Sequence, residues 1–366
     1  HAADELETVA GYYVVVVQVS DKVGNAAMYS SNGLVVDFQC PAITITDANG
    51  QSFPENTFYN SDVPYKVNIT DYEVQENTDE SVTSGIKSYD LVVEKDGDRT
   101  YPEDEADITN QVSEENAAYS IKDLQGLKKE FENTVVASEN NSNDVKIKVK
   151  AVDQAGKEKE VIQSLMIDTT DPVVNVSYNN NDVHNGKYFN SGRTMTITFT
   201  ERNFDRSKVK FEFMKTQDPT EEYDPNSALV NVDELQNYGI KATWDPEGKD
   251  KEYTEKNQVT EYKDDRQIEL LLEFPAEDDT EFYYHIVPYC TDKAGNSNVV
   301  DGKPQVTYEP GTEAKTDFAI DTKDPVISVE YTTGGSTFSP KSEILPDGQK
   351  SYSKETVKAI VTINEK

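Results

Sequence analysis

Apolar and polar residues alternate along several stretches of the chain, and three of these stretches end in the same kind of turn. They cover residues 13–25, 145–157 and 284–296. In the middle one, Val145, Ile147 and Val149 fall on one side, and lysines fall on the other. A period of two that is rich in β-branched residues predicts a strand with one face on a core and the other in solvent.

The turn itself repeats. It opens with Asp21, Asp153 and Asp292 in the three copies, and a Gly follows three residues after each Asp. An Asp in this place can accept backbone hydrogen bonds within the turn, and the Gly suits a backbone with positive φ. We therefore predict an internal repeat in which each unit closes with the same hairpin.

A second shared segment marks the passage from one repeat to the next. It consists of an apolar strand, Asp, two residues, Asp or Cys, Pro and a further apolar strand, and it occurs at 34–45, 165–176 and 318–329. Pro ends the outgoing strand and stiffens the link. The sequence predicts four units with short, semi-rigid linkers: the end of a repeat at 1–39, two complete repeats at 40–170 and 171–323, and the start of another at 324–366. We expect the chain to be a piece of a longer repeat protein.

The interiors of the two complete repeats differ in their loops. Acidic loops are expected at 101–117 and 216–237, and a charged stretch covers 247–266. Leu124, Leu127 and Phe131 could mark a short helix within 119–137, but the pattern there favours mostly strand. About seven short strands per repeat with little helix predict an antiparallel β-sandwich.

Four short motifs carry a resemblance to a known family. They are the Asp-Lys-Ala-Gly-Asn turn at 292–296, the Ile-Asp-x-x-x-Pro junction at 167–172, SGIKS at 84–88 and ERNFD at 201–205. Together they resemble the bacterial Ig-like domains that occur in tandem in surface proteins of Gram-positive bacteria, especially gut Firmicutes. The resemblance covers nearly the whole chain and implies an all-β protein of tandem immunoglobulin-like sandwiches in an extended rod. It implies an extracellular location, at the cell surface or wall, with the anchor outside this sequence.

Charge and cysteine content narrow the picture further. With 35 basic and 69 acidic residues, the net charge is −34, which argues against nucleic acid or an anionic membrane as a partner. No apolar run is long enough to insert into a membrane. Cys290 falls on the inward side of its strand and is expected to be a buried free thiol. Cys40 lies in a different repeat, so no disulfide is predicted.

The sequence offers little for catalysis. Its histidines are His1, His184 and His285, and His285 falls on the outward side of a strand, where we expect it to be solvated. No nucleophile elbow, phosphate-binding loop or His-rich metal motif is found, and no carboxylate pair stands out among the acids. We predict no enzyme activity and no catalytic residues.

Calcium is the cofactor that the acids suggest. In an immunoglobulin-type topology, the loop after the second strand and the loop before the last strand lie at the pole that receives the preceding linker. At the central junction this brings together Asp168 and Asp171 of the linker, Glu201 at a strand end and Asp292 in the turn. Hard oxygen ligands in this number suit Ca²⁺. The same residues also suit turns and strand ends without an ion, and the sequence leaves both interpretations open.

The neighbouring junctions carry comparable acids. The first offers Asp37, Asp71 and Asp153, with Cys40 in place of one oxygen ligand. The next offers Asp321, Asp324 and Glu365.

The favoured function is a non-enzymatic structural or adhesive surface protein. Its modules would form a stalk or a ligand-binding rod, monomeric, with a host or neighbouring-cell protein or glycan as partner. The alternative is a carbohydrate-binding or accessory module of an extracellular glycan-degrading enzyme. The position of Trp244, the one Trp, distinguishes the two functions. A core position favours the structural or adhesive protein, and an exposed stacking platform favours the carbohydrate-binding module.

Overall fold

A computed structural model describes residues 11–71, 83–112, 128–247, 266–333, 336–338 and 356–364. Within these ranges the chain is almost all β, with a few short 3₁₀ helices. The all-β antiparallel class predicted from the alternation is confirmed. The charged stretch at 247–266, the candidate helix residues Leu124 and Leu127, and Glu365 lie outside the described residues, apart from 247 and 266 themselves.

The described strands have between 2 and 12 residues, and they are joined by tight turns and by longer loops. Before the first complete sandwich they are β1 (Gly11–Tyr13), β2 (Val16–Ser20), β3 (Ala26–Ser30) and β4 (Leu34–Val36). The first sandwich contains β5 (Ala42–Asp47), β6 (Phe58–Tyr59), β7 (Val63–Thr70), β8 (Ile86–Lys95), β9 (Asp98–Tyr101), β10 (Thr109–Gln111), β11 (Lys128–Val135), β12 (Ser142–Asp153) and β13 (Glu158–Ile167).

The second sandwich has more strands and the same kind of connection. Its strands are β14 (Val173–Tyr178), β15 (Tyr188–Phe189), β16 (Arg193–Thr200), β17 (Lys210–Thr216), β18 (Val230–Asn231), β19 (Lys241–Trp244), β20 (Gln267–Phe274), β21 (Glu281–Tyr289), β22 (Val299–Val300), β23 (Lys303–Pro304), β24 (Thr307–Tyr308) and β25 (Asp317–Asp321). After it come β26 (Val326–Thr333), β27 (Ser336–Phe338) and β28 (Val357–Asn364).

Each sandwich is built from two sheets. Within the described residues, the first has the order β10-β8-β12-β13-β6, with β9 also on β8, facing β11-β7-β5. The second has β19-β20-β16-β14-β24 facing β15-β25-β21-β17-β18. Neighbouring long strands pair antiparallel, whereas β6 with β13, β14 with β24 and β15 with β25 pair parallel.

The alternation in the sequence appears in the structure as alternating burial. On β12, Val145, Ile147 and Val149 are fully buried. The intervening lysines lie on the other face, where Lys148 and Lys150 form ion pairs with Glu94 and Glu158. One buried cluster runs from Ile43 to Ile167 and a separate one from Val174 to Ile320. The domain limits drawn from the sequence stay predictions, but these two clusters fall within the two complete repeats.

The segments that flank the two sandwiches form smaller sheets. β2 pairs with β3 through the Asp21 turn, and β1 pairs with β4, so the hairpin expected here contains a strand at 26–30 that the sequence analysis missed. β26 pairs with β27 and β28. In the part of the chain that the structure describes, no helix has the length and apolarity to cross a membrane.

Several local expectations can be checked directly. β11 confirms strand rather than helix for 128–135. The two acidic loops contain 3₁₀ helices, Glu105–Asp107 and Val232–Tyr238, that were not predicted. Asn231 and Glu234 form a capping box at the start of the longer one, which gives its first N–H groups the partners that a helix start lacks.

The two cysteines and the Trp occupy different environments. Cys290 is buried in the core of the second sandwich, as predicted, and Cys40 is exposed; both are free thiols. Trp244 is half-buried and packs against Phe199 and Phe204 at the edge of the same core, which agrees with the packing role favoured for it.

Arg193 is the largest fully buried side chain and was not anticipated from the sequence. Its guanidinium lies 3.7 Å from the ring centroid of Tyr178 and 4.2 Å from that of Phe189. It also donates to the carbonyls of Asn180, Glu313 and Ala314. Burial lowers the pKa of Arg193 to about 10, so the side chain stays charged, and aromatic faces and carbonyl dipoles replace its water shell.

We expect Arg193→Met to lower the unfolding free energy of the second sandwich by about 2–4 kcal/mol, because buried carbonyls lose a charged donor. Urea unfolding followed by Trp244 fluorescence reports on this sandwich alone, since it holds the one Trp of the chain. The unfolding free energy of Arg193→Lys should lie between those of the parent and of Arg193→Met, because Lys keeps the positive charge but lacks the planar guanidinium. Ile147→Val in the first sandwich should leave the Trp244 transition unchanged. An Arg193→Met transition equal to that of the parent would contradict this role.

Candidate functional site

The repeated Asp organises the turn that follows each long strand. The carboxylate of Asp21 accepts hydrogen bonds from the backbone N–H groups of Val23 and Asn25 at 2.9 and 2.8 Å. Asp292 accepts in the same way from Gly295 and Asn296. The glycines of the three turns have φ between 82° and 97°. Both predictions about the turn are confirmed.

Two groups of buried acids lie at the poles where linkers enter the sandwiches. One group is Asp37, Asp71 and Asp153, which we call the first trio. The other is Asp168, Glu201 and Asp292, which we call the central trio. In each trio, one carboxylate oxygen per residue lies within 4.8 Å of the other two.

The topology explains the convergence. In the central trio, Asp168 directly follows β13, Glu201 directly follows β16, and Asp292 opens the turn after β21. In the first trio, Asp37 directly follows β4, Asp71 directly follows β7, and Asp153 is the last residue of β12 and opens the turn. The grouping of acids that are distant in sequence therefore occurs as expected at both poles.

Not every acid named from the sequence belongs to a trio. Asp171 is exposed and lies outside the central trio. At the next junction Asp321 is half-buried and Asp324 exposed, and their expected partner Glu365 is not among the described residues. Where the structure describes the chain, the groups of acids close enough to share a cation are the two trios.

The central trio has positively charged and amide partners. Arg202 Nη2 lies 3.2 Å from Asp168 Oδ1, and the Asn203 amide donates to Asp168 Oδ2. The backbone N–H of Asn203 donates to Glu201 at 2.7 Å. On Asp292, the second carboxylate oxygen accepts from the Asn296 amide at 2.8 Å. A buried carboxylate is stable only with such partners, and the sequence alone does not show that Arg202 is one.

Arg202 and its neighbours also join the two sandwiches. Arg202 donates to the carbonyl of Ile167 and to Asn141, both in the first sandwich. The amides of Asn143 and Asn203 exchange hydrogen bonds of 2.7 and 3.0 Å across the junction. The Asn296 amide donates to the backbone carbonyl of Asp168. The second sandwich therefore holds the linker through its own turn and strand-end residues.

The first trio has a different set of partners. Asp71 Oδ2 accepts from the Thr83 hydroxyl and from the N–H of Gly85, and Asp37 accepts from the N–H of Ser84 at 2.7 Å. Asp71 Oδ1 and Asp153 Oδ2 are buried and have no hydrogen-bond partner among the described residues. These three acids form no ion pair with a Lys, Arg or His that the structure describes.

Crowding of buried carboxylates shifts their protonation. Burial raises the pKa of Glu201 to about 8 and that of Asp153 to about 6. Burial likewise raises the pKa of Asp71 and Asp292. The neighbouring carboxylates push in the same direction, because each charge disfavours the next. Such a cluster gains stability from a proton, a guanidinium or a metal cation.

His285 corrects an expectation, since it is packed rather than solvated. Its ring stacks on Tyr223 with centroids 4.4 Å apart, and Nδ1 lies 2.8 Å from Asp317 Oδ1. Glu212 approaches the other ring nitrogen at 3.6 Å. The outward parity was right, but the loop carrying Tyr223 covers this face of the sheet. Burial acts to lower the pKa of His285, yet the two acids outweigh it and raise the pKa.

Comparison with known proteins gives no family assignment. No protein-family model matches the chain, and no curated protein matches it.

Several solved structures share the general architecture. A tetra-tandem repeat from the extending region of a large adhesion protein is 12% identical with a TM-score of 0.32, covering 98% of this chain and 71% of that one. The C-terminal domain of the Streptococcus pyogenes antigen I/II-family protein AspA is 13% identical with a TM-score of 0.25, covering 77% and 99%. Fibronectin(III)-like modules of Clostridium thermocellum CbhA are 8% identical with a TM-score of 0.21, covering 77% and 94%. These values are low, so the fold assignment depends on the sheets described above.

His285 should make the stability of the second sandwich depend on pH. Its folded pKa is raised, so its pairing with Asp317 is fully present below the unfolded value near 6.5 and is lost as pH rises through the folded pKa. Asp317, whose pKa the His285 hydrogen bond lowers, stays ionised well into acid. We expect His285→Gln to remove up to about 1 kcal/mol at pH 6 and less at pH 8, since Asp317 is largely exposed.

The measurement is urea unfolding by Trp244 fluorescence at pH 5, 6, 7 and 8. The difference between parent and variant isolates His285 from the buried acids. His184→Gln, at an exposed histidine, is the matched control and should leave the profile unchanged. A His285→Gln difference that is constant across this range would contradict the assignment.

Proposed function

We propose that this chain is a non-enzymatic structural or adhesive part of an extracellular surface protein, in which Ig-like sandwiches form a stiff rod. The rod either holds a binding head away from the cell or presents binding surfaces along its own length. A protein or glycan of a host or neighbouring cell is the partner class that suits this role. The Gram-positive origin expected from the motifs belongs to the same proposal.

The observation that carries the proposal is that residues of the second sandwich bind the linker through an ion pair and hydrogen bonds. Asp168 is fully buried although it lies between two domains, and Arg202, Asn203 and Asn296 contact it or its carbonyl. Pro172, four residues on, is also buried. Flexible linkers leave their backbone to water, whereas this one has its polar groups satisfied by the next domain.

Charge and aromatic placement support a structural role. The excess of acids keeps copies apart and the surface soluble. Trp244 is half-buried and packs its ring against the core, which favours the structural role over the sugar-stacking platform that the glycan-binding alternative needs. The calcium site predicted at Asp168, Asp171, Glu201 and Asp292 is not part of this proposal, because Asp171 lies outside the group of acids and the Arg202 guanidinium already lies 3.2 Å from Asp168.

The rod predicts a narrow distribution of distances between the two sandwiches. Spin labels on the exposed Cys40 and on an Asp278→Cys variant, in the otherwise intact chain, report it by electron–electron double resonance; Cys290 is buried and escapes labelling. Removing both Asn141 and Asn143 side chains to Ala deletes hydrogen bonds across the junction. We expect this change to broaden the distribution while the unfolding midpoint of the second sandwich moves by less than about 1 kcal/mol.

Asn110→Ala serves as the control, because the Asn110 amide bonds only within the first sandwich. It should leave the distribution as narrow as in the parent. A parent distribution as broad as that of the double variant would exclude a stiff junction and with it the rod.

A further inference from the structure

The first trio holds two buried carboxylate oxygens that have no hydrogen-bond partner among the residues that the structure describes. Asp71 and Asp153 are 2% and 0% exposed, and Oδ1 of the former and Oδ2 of the latter accept no hydrogen bond from the described residues. An orphaned buried carboxylate oxygen costs more than an orphaned neutral group. Two of them in one cluster of three acids indicate a missing positive partner.

Comparison of the three turns shows why the second carboxylate oxygen of Asp153 has no amide partner within its turn. In the first and third turns, Asn25 and Asn296 place an amide on the second oxygen of the turn Asp. The middle turn has Lys157 at this position, and only its backbone N–H reaches Asp153, at Oδ1. Asp153 Oδ2 is consequently the oxygen that remains unsatisfied.

The first and central junctions also differ at the residues that follow the strand-end acid, where the central junction has a positively charged Arg. Glu201 is followed by Arg202 and Asn203, which neutralise and hydrogen-bond Asp168. Asp71, at the same position in the first sandwich, is followed by Tyr72 and Glu73. The sequence from 72 to 82 contains no Lys, Arg or His. The first junction thus has acids at the same three positions as the central one, but its sequence lacks the Arg and Asn that follow the strand-end acid there.

We propose that Asp37, Asp71 and Asp153 bind a Ca²⁺ ion, which takes at the first junction the place that the Arg202 guanidinium takes at the central one. The ligands are hard oxygens from three separate segments, and water completes the shell. Ca²⁺ fits better than Mg²⁺, because it accepts irregular geometry and gives up water readily, whereas Mg²⁺ demands a regular octahedron and retains its water.

The ion would tie together parts of the chain that lie far apart in sequence. Asp37 belongs to the segment that enters the first sandwich, and Asp71 and Asp153 belong to the sandwich itself. The site does not depend on the proposed function; only its mechanical consequence, a second stiff junction, rests on it. The central junction would then be stabilised by the guanidinium of Arg202, and the first junction by a Ca²⁺ ion bound from solution.

Isothermal titration of the whole chain with CaCl₂ at pH 7.5, after removal of metal with EGTA, tests the proposal. We expect one site with a Kd on the order of 10⁻⁵ to 10⁻³ M, which runs from the weakest sensor sites to the extracellular modules, and binding of MgCl₂ at least tenfold weaker. Asp71→Asn and Asp153→Asn should each weaken Ca²⁺ binding at least tenfold. Asp292→Asn, at the equivalent turn of the central trio, is the matched control and should leave the first site intact.

A graft tests the substitution without removing a ligand. Tyr72→Arg combined with Glu73→Asn places the Arg and Asn of 202–203 directly after Asp71 in the sequence, and we expect it to abolish Ca²⁺ binding without unfolding the chain. The reverse change, Arg202→Met, should add a second binding event that Asp292→Asn removes. Parent chain without Ca²⁺ binding, or binding unaffected by both Asp71→Asn and the graft, would overturn the proposal. Neither result would alter the spin-label distances across the central junction, so the rod is judged separately.

Discussion

Burial of carboxylates where one domain meets the next is the constraint on which this structure depends. The immunoglobulin-like topology brings a linker, a strand end and a turn to one pole, and all three positions carry acids. In water each carboxylate would be hydrated; packed between two domains it needs another source of positive charge or hydrogen bonds. How each junction meets that need determines whether the linker is held or left free.

The turn Asp shows how one residue can serve two structural purposes. One of its oxygens satisfies the N–H groups of the hairpin, which is a local task and recurs in all three copies. The other oxygen accepts a hydrogen bond either from the side-chain amide of a residue in the turn or from a partner outside the turn. Where the fifth residue of the turn is Asn, its side-chain amide donates to this oxygen. Lys157 takes that position in the middle copy, and the second oxygen of Asp153 is left for a partner outside the turn. A single side chain outside the acidic trio thereby changes what the trio can bind.

Much of this could be predicted from the sequence, because it depends on periodicity and on local turn chemistry. Alternation on 145–151 defined the buried face of β12, and the Asp and Gly spacing defined the turn backbone. Convergence of Asp168, Glu201 and Asp292 followed from topology alone. The roles of Arg202 and Arg193 could not be identified in this way. Arg202 lies in the ERNFD motif, but the motif does not show which acid the guanidinium contacts, and Arg193 follows no pattern at all; both roles depend on neighbours in space. His285 was misjudged for the same reason: its strand parity is local, but the loop of Tyr223 that covers it comes from elsewhere in the chain.

The parallel pairs have a bearing on how the chain would respond to tension. β13 is the last strand of the first sandwich, and it pairs parallel with β6 near the start of that domain. β25, the last strand of the second sandwich, pairs in the same sense with β15. When the two ends of such a domain are drawn apart, parallel partners slide lengthwise against each other, so their hydrogen bonds are strained together. An antiparallel hairpin pulled from its open end would lose them one after another. Under tension along the chain, these short parallel pairs would be loaded in shear, so the force needed to extend each domain would depend on them and would not follow from its thermal stability.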